Sequence, residues 1–253
     1  MTIEEGHEIL LYVNEKKSWI VTAEQGKKFH THKGIVDLGE IVGKPYGTEV
    51  RTTLGLSMKA IPVDYLDHLE RVSRRTQIIY PKDIAIITLL ANVRPGSRVV
   101  ECGTGSGSLT SYLAMHAQPD GIVFTYEMRE EFQRVARRNL EKMGVIEKVV
   151  MKLRDINEGI DEKDVDAVVL DMATPWQVVG LAKDALKMGG RLVSFSPTIN
   201  QVEKTVEEMR GKGFLAVKTL ELLMRTYKVK VNETRPDMIM VGHTGYIVSG
   251  RKG

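Results

Sequence analysis

Beyond about Ser73, short apolar runs alternate with longer stretches in which apolar residues recur every third or fourth position. The short runs, "SRVVEC", "GIVFTYE", "VVMKL", "VDAVVLD" and "GRLVSFS", read as strands. The longer ones, "PKDIAIITLLANV", "SLTSYLAMHA", "REEFQRVARRNLEKMG", "WQVVGLAKDALK" and "QVEKTVEEMRGKG", read as helices. Pro81 and Asp83 suit a first helical turn. Phe132, Val135, Ala136, Leu140 and Met143 share one helical face, and Gly144 ends that helix. Two further β-like runs, "AVKTLELLMRTYKV" and "DMIMVGHTGYIVSG", follow near the C-terminus. Such alternation predicts an α/β domain, a doubly wound and mostly parallel sheet covered on both faces, with ligands at the carboxyl ends of its strands.

The first 65 residues have a different rhythm. "SWIVTA", "GIVDLGEIVG" and "TEVRTT" alternate apolar with polar residues between frequent glycines, which predicts short strands. A small β-rich domain is therefore expected over 1–65, leading through the helical "DYLDHLERV" into a second domain over 66–253.

Composition narrows the setting. At 253 residues and 42% hydrophobic content the chain can bury a sizeable core, yet no apolar run approaches the roughly 20 residues of a membrane span. "MTIEEGHEIL" carries acids where an export signal carries lysines, and Cys102 has no second cysteine to pair with, so a cytoplasmic protein is expected. The net charge of +3 names no partner, but its distribution is uneven. Between Arg71 and Arg98 six basic residues (Arg71, Arg74, Arg75, Lys82, Arg94, Arg98) face one acid, Asp83. Lys218, Arg225, Lys228, Lys230 and Arg235 form a second group, opposed by Glu221 and Glu233. Either group alone reads most simply as a solvated face; two of them flanking a ligand site suit a polyanion such as RNA.

The candidate chemistry centres on "VVECGTGSGS". Gly103, Gly105 and Gly107 follow a strand in the spacing G-x-G-x-G, with Ser108 where a dinucleotide fingerprint needs its third glycine. No G-K-[ST] follows, so a Walker loop is excluded. Glu101 would place negative charge beside a bound phosphate, whereas a cationic nucleoside would be attracted by it; S-adenosylmethionine, with an ammonium and a sulfonium, fits. Glu127, 20 residues after Gly107, is placed to accept ribose hydroxyls. Asp155 suits an adenine amino group, and Asp171 ends a further strand. The plainer reading is a glycine turn with ordinary helix-capping acids. Cys102 reads as a packed residue, His243 as structural, and His30 and His32 lack the further ligands of a metal site.

"VVECGTGSGSLT", "YE", "RDI", "LDMATPW" and "LKMGGRLVSFSPTINQV", together with "RRTQIIYPKD", "GIVDLGEIVGKPYG" and "RPDMIMVGHTGYIVSGRK", resemble in order and spacing the tRNA (adenine-N1)-methyltransferases of archaea and bacteria. The resemblance covers nearly the whole chain. It implies a class I methyltransferase domain with a seven-stranded sheet behind a small β domain, and methyl transfer from S-adenosyl-L-methionine to N1 of adenosine in the tRNA T-loop, leaving S-adenosyl-L-homocysteine. Position 58 is the implied target, with 57 added in archaeal members. The resemblance also implies a homotetramer with no separate binding subunit. It implies cofactor contacts from Gln77, Glu101, Gly103, Thr104, Gly105, Ser106, Gly107, Ser108, Leu109, Glu127, Met128, Asp155, Ile156 and Asp171. Methylation of N1 needs no prior deprotonation, only alignment and stabilisation of the cation that forms; Asp171 is the candidate for the latter. The resemblance sets Tyr80 beside the target base, although a core tyrosine is the plainer reading. Pro175 and Trp176 either shape the base pocket or pack a helix start. Other readings are an NAD-dependent oxidoreductase, a non-catalytic RNA-binding subunit, and a class I methyltransferase acting on a protein or small molecule.

Overall fold

The computed structural model describes residues 1–71 and 79–253. The chain divides into two compact units, Met1–Arg71 and Val72–Gly253. Arg74, Arg75 and Gln77 of the predicted basic group and cofactor site lie outside the described residues.

The first unit contains β1 (Glu8–Asn14), β2 (Lys17–Thr22), β3 (Lys28–Thr31), β4 (Gly34–Asp37), β5 (Glu49–Arg51), β6 (Ser57–Pro62) and the helix α1 (Tyr65–Arg71). An antiparallel sheet runs in the order β2-β1-β6-β5, and β3 pairs with β4 as a separate ribbon. In β6 the period of two is explicit: Met58 and Ala60 are buried while Ser57 and Lys59 face solvent. Those two residues join Ile3, Ile9, Leu11 and Ile41 in the core of this unit.

The second unit runs through α2 (Pro81–Leu90), β7 (Arg98–Cys102), α3 (Ser108–Ala117), β8 (Ile122–Glu127), α4 (Glu130–Lys142), β9 (Val149–Leu153), β10 (Val165–Asp171), α5 (Val179–Ala185), β11 (Leu186–Ser196), α6 (Ile199–Gly211), β12 (Phe214–Glu221), the two-residue β13 (Tyr227–Lys228) and β14 (Arg235–Pro236), and β15 (Tyr246–Lys252). Its seven-stranded sheet has the order β12-β15-β11-β10-β7-β8-β9. Five strands, β9 to β11 in that row, are mutually parallel, and β15 runs antiparallel between β11 and β12. Because both faces are covered, β10 is an almost uninterrupted apolar run, with Val168, Val169 and Leu170 all fully buried. From β7 the chain moves outward to β8 and β9, then returns to place β10 on the other side of β7. That reversal opens a crevice at the carboxyl ends of β7 and β10, the position where such sheets take ligands.

Three expected elements differ from those found. The helix expected over 176–187 is split into a 3-10 turn, Pro175–Val178, and the short α5, with the β-branched Val178 and Val179 at the junction disfavouring a continuous helix. The strand expected from Gly190 already begins at Leu186, which pairs with Val165 across a register shift. The last two β-like runs are interrupted by an excursion from Leu222 to Gly245, in which only β13 and β14 pair. Leu223, Met224, Val229, Val231 and Met238 are exposed there, so their apolar character is not used within the chain. No helix among the described residues is long and apolar enough to cross a membrane.

Leu170 is fully buried in the middle of this sheet. Leu170→Ala should lower stability by about 2–5 kcal/mol. In urea titration this appears as a lower midpoint at unchanged slope; an unchanged midpoint would show that the sheet centre is not the core.

Candidate active site

The glycine loop is shaped by two contacts that exclude a side chain. Gly103 has φ +92°, and a Cβ there would lie 1.9 Å from the Asp171 carbonyl oxygen, so β7 and β10 meet at this residue without room for a methyl group. Gly107 has φ +82° and caps α3, with the Ala136 backbone of α4 at 3.3 Å from the place its Cβ would take. The Gly103 and Thr104 amides donate to the Tyr126 carbonyl at 3.0 and 3.4 Å, and the Asn139 amide side chain donates to the Ser106 carbonyl at 2.8 Å. The loop is thereby fixed to β8 and α4 before any ligand arrives.

Ile79, Gly103, Thr104, Gly105, Ser106, Ser108, Leu109 and Asp171 line one pocket. The structure thus brings together the loop residues and Asp171, as the sequence implies, and adds Ile79, which no motif singled out. Of the other expected cofactor residues, Glu127 sits at the end of β8, where its Oε2 accepts from the Gly105 amide at 3.1 Å and its Oε1 from the Arg129 amide at 3.1 Å. Asp155 caps a 3-10 turn, accepting from the Asn157 amide and from its Nδ2, both at 2.9 Å. Ile156 is buried beside it, and Met128 is largely exposed.

Glu101 is not at the mouth of the loop. It is fully buried, and its Oε2 accepts from the Thr110 hydroxyl at 2.6 Å and the Thr125 hydroxyl at 2.7 Å. Thr104 shares a hydrogen bond with Thr125 at 2.6 Å, which extends this chain of hydroxyls to the pocket wall. The other oxygen, Oε1, has no hydrogen-bond partner among the described residues. Burial, opposed by the two threonine bonds and helped by the charges of Asp171 and Glu127, pushes the Glu101 pKa up to about 8. Asp171 is raised to about 7, by burial first and then by the charge of Glu127. Buried acids with raised pKa values at the strand ends mark this crevice as a candidate functional site. The N-terminus of α3 lies next to them, and its dipole favours an anionic group there. A zwitterionic ligand with a cationic centre satisfies both halves, and the residues present fit S-adenosylmethionine in that respect.

Tyr80 stands at the N-cap of α2, 47% exposed and adjacent to the pocket-lining Ile79. Lys82 follows, donating to Asp83 Oδ1 at 2.8 Å, the Leu222 carbonyl at 2.9 Å and the Thr244 hydroxyl at 2.7 Å, so a largely buried cation ties both roots of the 222–245 excursion to α2. Trp176 lies in the 3-10 turn with the Lys204 ammonium 4.7 Å from its ring centre. His243 contacts Glu221 Oε1 at 2.6 Å and the Pro197 carbonyl at 2.9 Å, and the Glu221 carboxylate foremost raises its pKa, a staple between two loops. Cys102 is buried with its sulfur 3.5 Å from that of Met172, and burial pushes its thiol pKa up, away from nucleophilic use.

Residues 69–245 match the family described as tRNA methyltransferase complex GCD14 subunit. The chain is 38% identical to a tRNA (adenine(57)-N(1)/adenine(58)-N(1))-methyltransferase of Methanocaldococcus jannaschii, over 95% of this chain and 94% of that one. Among solved structures, an S-adenosylmethionine-dependent O-methyltransferase of Thermotoga maritima superposes with a TM-score of 0.95 at 40% identity, covering 99% of this chain and 94% of the other. The tRNA (m1A58) methyltransferase of Aquifex aeolicus superposes with a TM-score of 0.86 at 30% identity, covering 100% and 99%.

Glu101 has a pKa of about 8 in the folded chain against 4.5 for a free glutamate, and Asp171 is raised in the same direction. In that window the native chain holds more protons than the unfolded one, so stability should fall as pH rises from about 4.5 to about 8. Glu101→Gln should flatten this slope in urea titrations at pH 6 and pH 8; an identical slope would mean Glu101 is ionised throughout.

Proposed function

We propose, from the premise that the chain belongs to the tRNA (adenine-N1)-methyltransferase family, that it transfers a methyl group from S-adenosyl-L-methionine to N1 of adenosine in the tRNA T-loop. Position 58 is the target, and 57 is added on the strength of the Methanocaldococcus relative named for both. The observation that carries this reading is Asp171: its carboxylate lines the glycine-loop pocket while its carbonyl is packed against Gly103.

S-adenosylmethionine supplies an electrophilic methyl carbon when bound. Gly103 to Leu109 and the α3 N-terminus hold its amino-acid end, Glu127 its ribose, and Asp155 with Ile156 its adenine. Asp171 then acts on the acceptor. N1 attacks through its own lone pair, so no base is needed, but the adenine ring becomes cationic. A carboxylate in the pocket wall stabilises that charge as it develops. Adenine binding and charge development both favour the ionised form of a group whose pKa is about 7. Tyr80 offers a half-exposed ring beside the pocket for the base to stack on. A T-loop adenosine engaged in tertiary pairing must be extruded to reach it.

The excursion 222–245 supports two further parts of the reading. Arg225, Lys228 and Arg235 are exposed on it and suit the phosphate backbone. Its exposed Leu223, Met224, Val229, Val231 and Met238 suit contact with other copies of the chain, in keeping with a homotetramer that recruits no separate binding subunit. The cytoplasm is the compartment consistent with a tRNA substrate and a lone buried cysteine.

Incubation with tritiated S-adenosylmethionine and unmodified tRNA should label 1-methyladenosine, and Asp171→Ala should reduce transfer by about 10²–10³-fold while cofactor binding persists. The similarity to a protein named as an O-methyltransferase makes a hydroxyl acceptor the second reading. Label recovered on oxygen rather than on the base would establish that reading and remove this one.

Affinity for tRNA should fall steeply with salt, with log Kd linear in log salt as counterions are released. Arg225→Ala should shift affinity and reduce the slope by about one. A salt-independent affinity would remove the excursion from the RNA contact.

A further inference from the structure

Cys102, Tyr126 and Lys152 form one row across β7, β8 and β9. Tyr126 is 1% exposed, yet its two polar ends hold different walls of the crevice. Its carbonyl takes the Gly103 and Thr104 amides of the glycine loop. Its hydroxyl donates to Glu162 Oε2 at 2.6 Å and accepts from the Asp161 amide at 3.1 Å and Lys152 Nζ at 3.2 Å. Lys152 also donates to Asp161 Oδ2 at 2.8 Å and pairs with Glu162. Arg154 donates to Asp161 Oδ1 at 3.0 Å and to the Gly159 carbonyl. The segment after the Asp155 turn is therefore anchored from Gly159 to Glu162, and its central anchor is one phenol. Burial foremost, and the bond to the Glu162 carboxylate, keep the proton on that phenol, as a donor requires.

We propose that Tyr126 is a positioning residue for the methyl donor: through its hydroxyl it sets the Asp155–Ile156 turn at a fixed distance from the glycine loop held by its carbonyl. The inference rests on the reading that this turn meets the adenine of the donor. Without the hydroxyl, the turn keeps its attachment to β9 and the segment keeps only its Lys152 and Arg154 ties, so the spacing to the glycine loop loosens and donor binding suffers while the reacting groups at Asp171 are unchanged. A hydrogen bond to a carboxylate lost at such a hinge corresponds to a change of at least roughly tenfold in an equilibrium constant.

The test is a double-mutant cycle of Tyr126→Phe and Asp155→Ala, read as Kd for S-adenosylhomocysteine by calorimetry and as KM and kcat in the tRNA assay. Tyr126→Phe should raise Kd and KM for the donor about tenfold and leave kcat at saturation within about twofold. On the Asp155→Ala background the same change should cost less than about twofold. Additive penalties, or a fall in kcat at unchanged KM, overturn the inference while leaving the reading of Asp155 intact. If Asp155→Ala alone leaves Kd unchanged, the turn does not meet the adenine, and reading and inference fall together. Should Tyr126→Phe not fold, Glu162→Ala, which removes the acceptor and keeps the ring, must show the same coupling or the inference fails.

Discussion

Burial foremost, and then the nearby charge of Glu127, raises the pKa of both Glu101 and Asp171. Left alone, such a group of acids destabilises the fold that brings them together. The chain contains the repulsion rather than removing it. Two threonine hydroxyls and a proton quiet Glu101, and the Gly105 and Arg129 amides hold Glu127. What is left is Asp171 in the lining of the pocket, beside the positive end of α3. The glycine loop is needed because only a bare backbone can pass between β7 and β10 at the 1.9 Å approach that Gly103 faces. Position and charge of the site thus come from one sheet reversal.

Elements whose conformation is decided locally were legible. "VDAVVLD" is a strand from first to last residue, and "SLTSYLAMHA" is α3 without adjustment, because a doubly covered strand and a helix on a glycine cap leave unmistakable patterns. The start of β11 at Leu186 was not, since it depends on Val165, a partner brought in by the sheet. Nor was the excursion after Glu221: its apolar residues imitate a strand, but nothing within the described chain pairs with them.

The site divides in the same way. The glycine loop, Glu127 and Asp171 follow from order and spacing at strand ends. Spacing alone sets Glu101 as a charge facing the ligand of the loop, whereas strand alternation turns it to the face of β7 that meets Thr110 of α3 and Thr125 of β8. That signal was present, since Val99 and Glu101 share a face and Val100 does not. The role of Tyr126 had no such signal. A tyrosine in an apolar strand reads as core, and its partner Glu162 lies 36 residues on, in a loop without periodicity.

The exposed excursion 222–245 is joined to the pocket side of its unit through Lys82. Lys82 is one residue inside α2, which begins next to Tyr80 and the pocket-lining Ile79, and its ammonium binds the Leu222 carbonyl and the Thr244 hydroxyl at the two roots of the exposed excursion. Asp83 answers that charge from the same turn, with its second oxygen buried and without a partner among the described residues. A buried pair of this kind contributes little net stability, because desolvation offsets most of the attraction, but removing one partner strands the other. Its value lies in geometry: one ammonium with three acceptors fixes both roots against the helix that carries the candidate stacking ring. The roots of the basic, apolar arm and the start of α2 beside the pocket-lining Ile79 are thereby tied together; on the proposed reading, a phosphate backbone held by the arm sets where the adenine arrives.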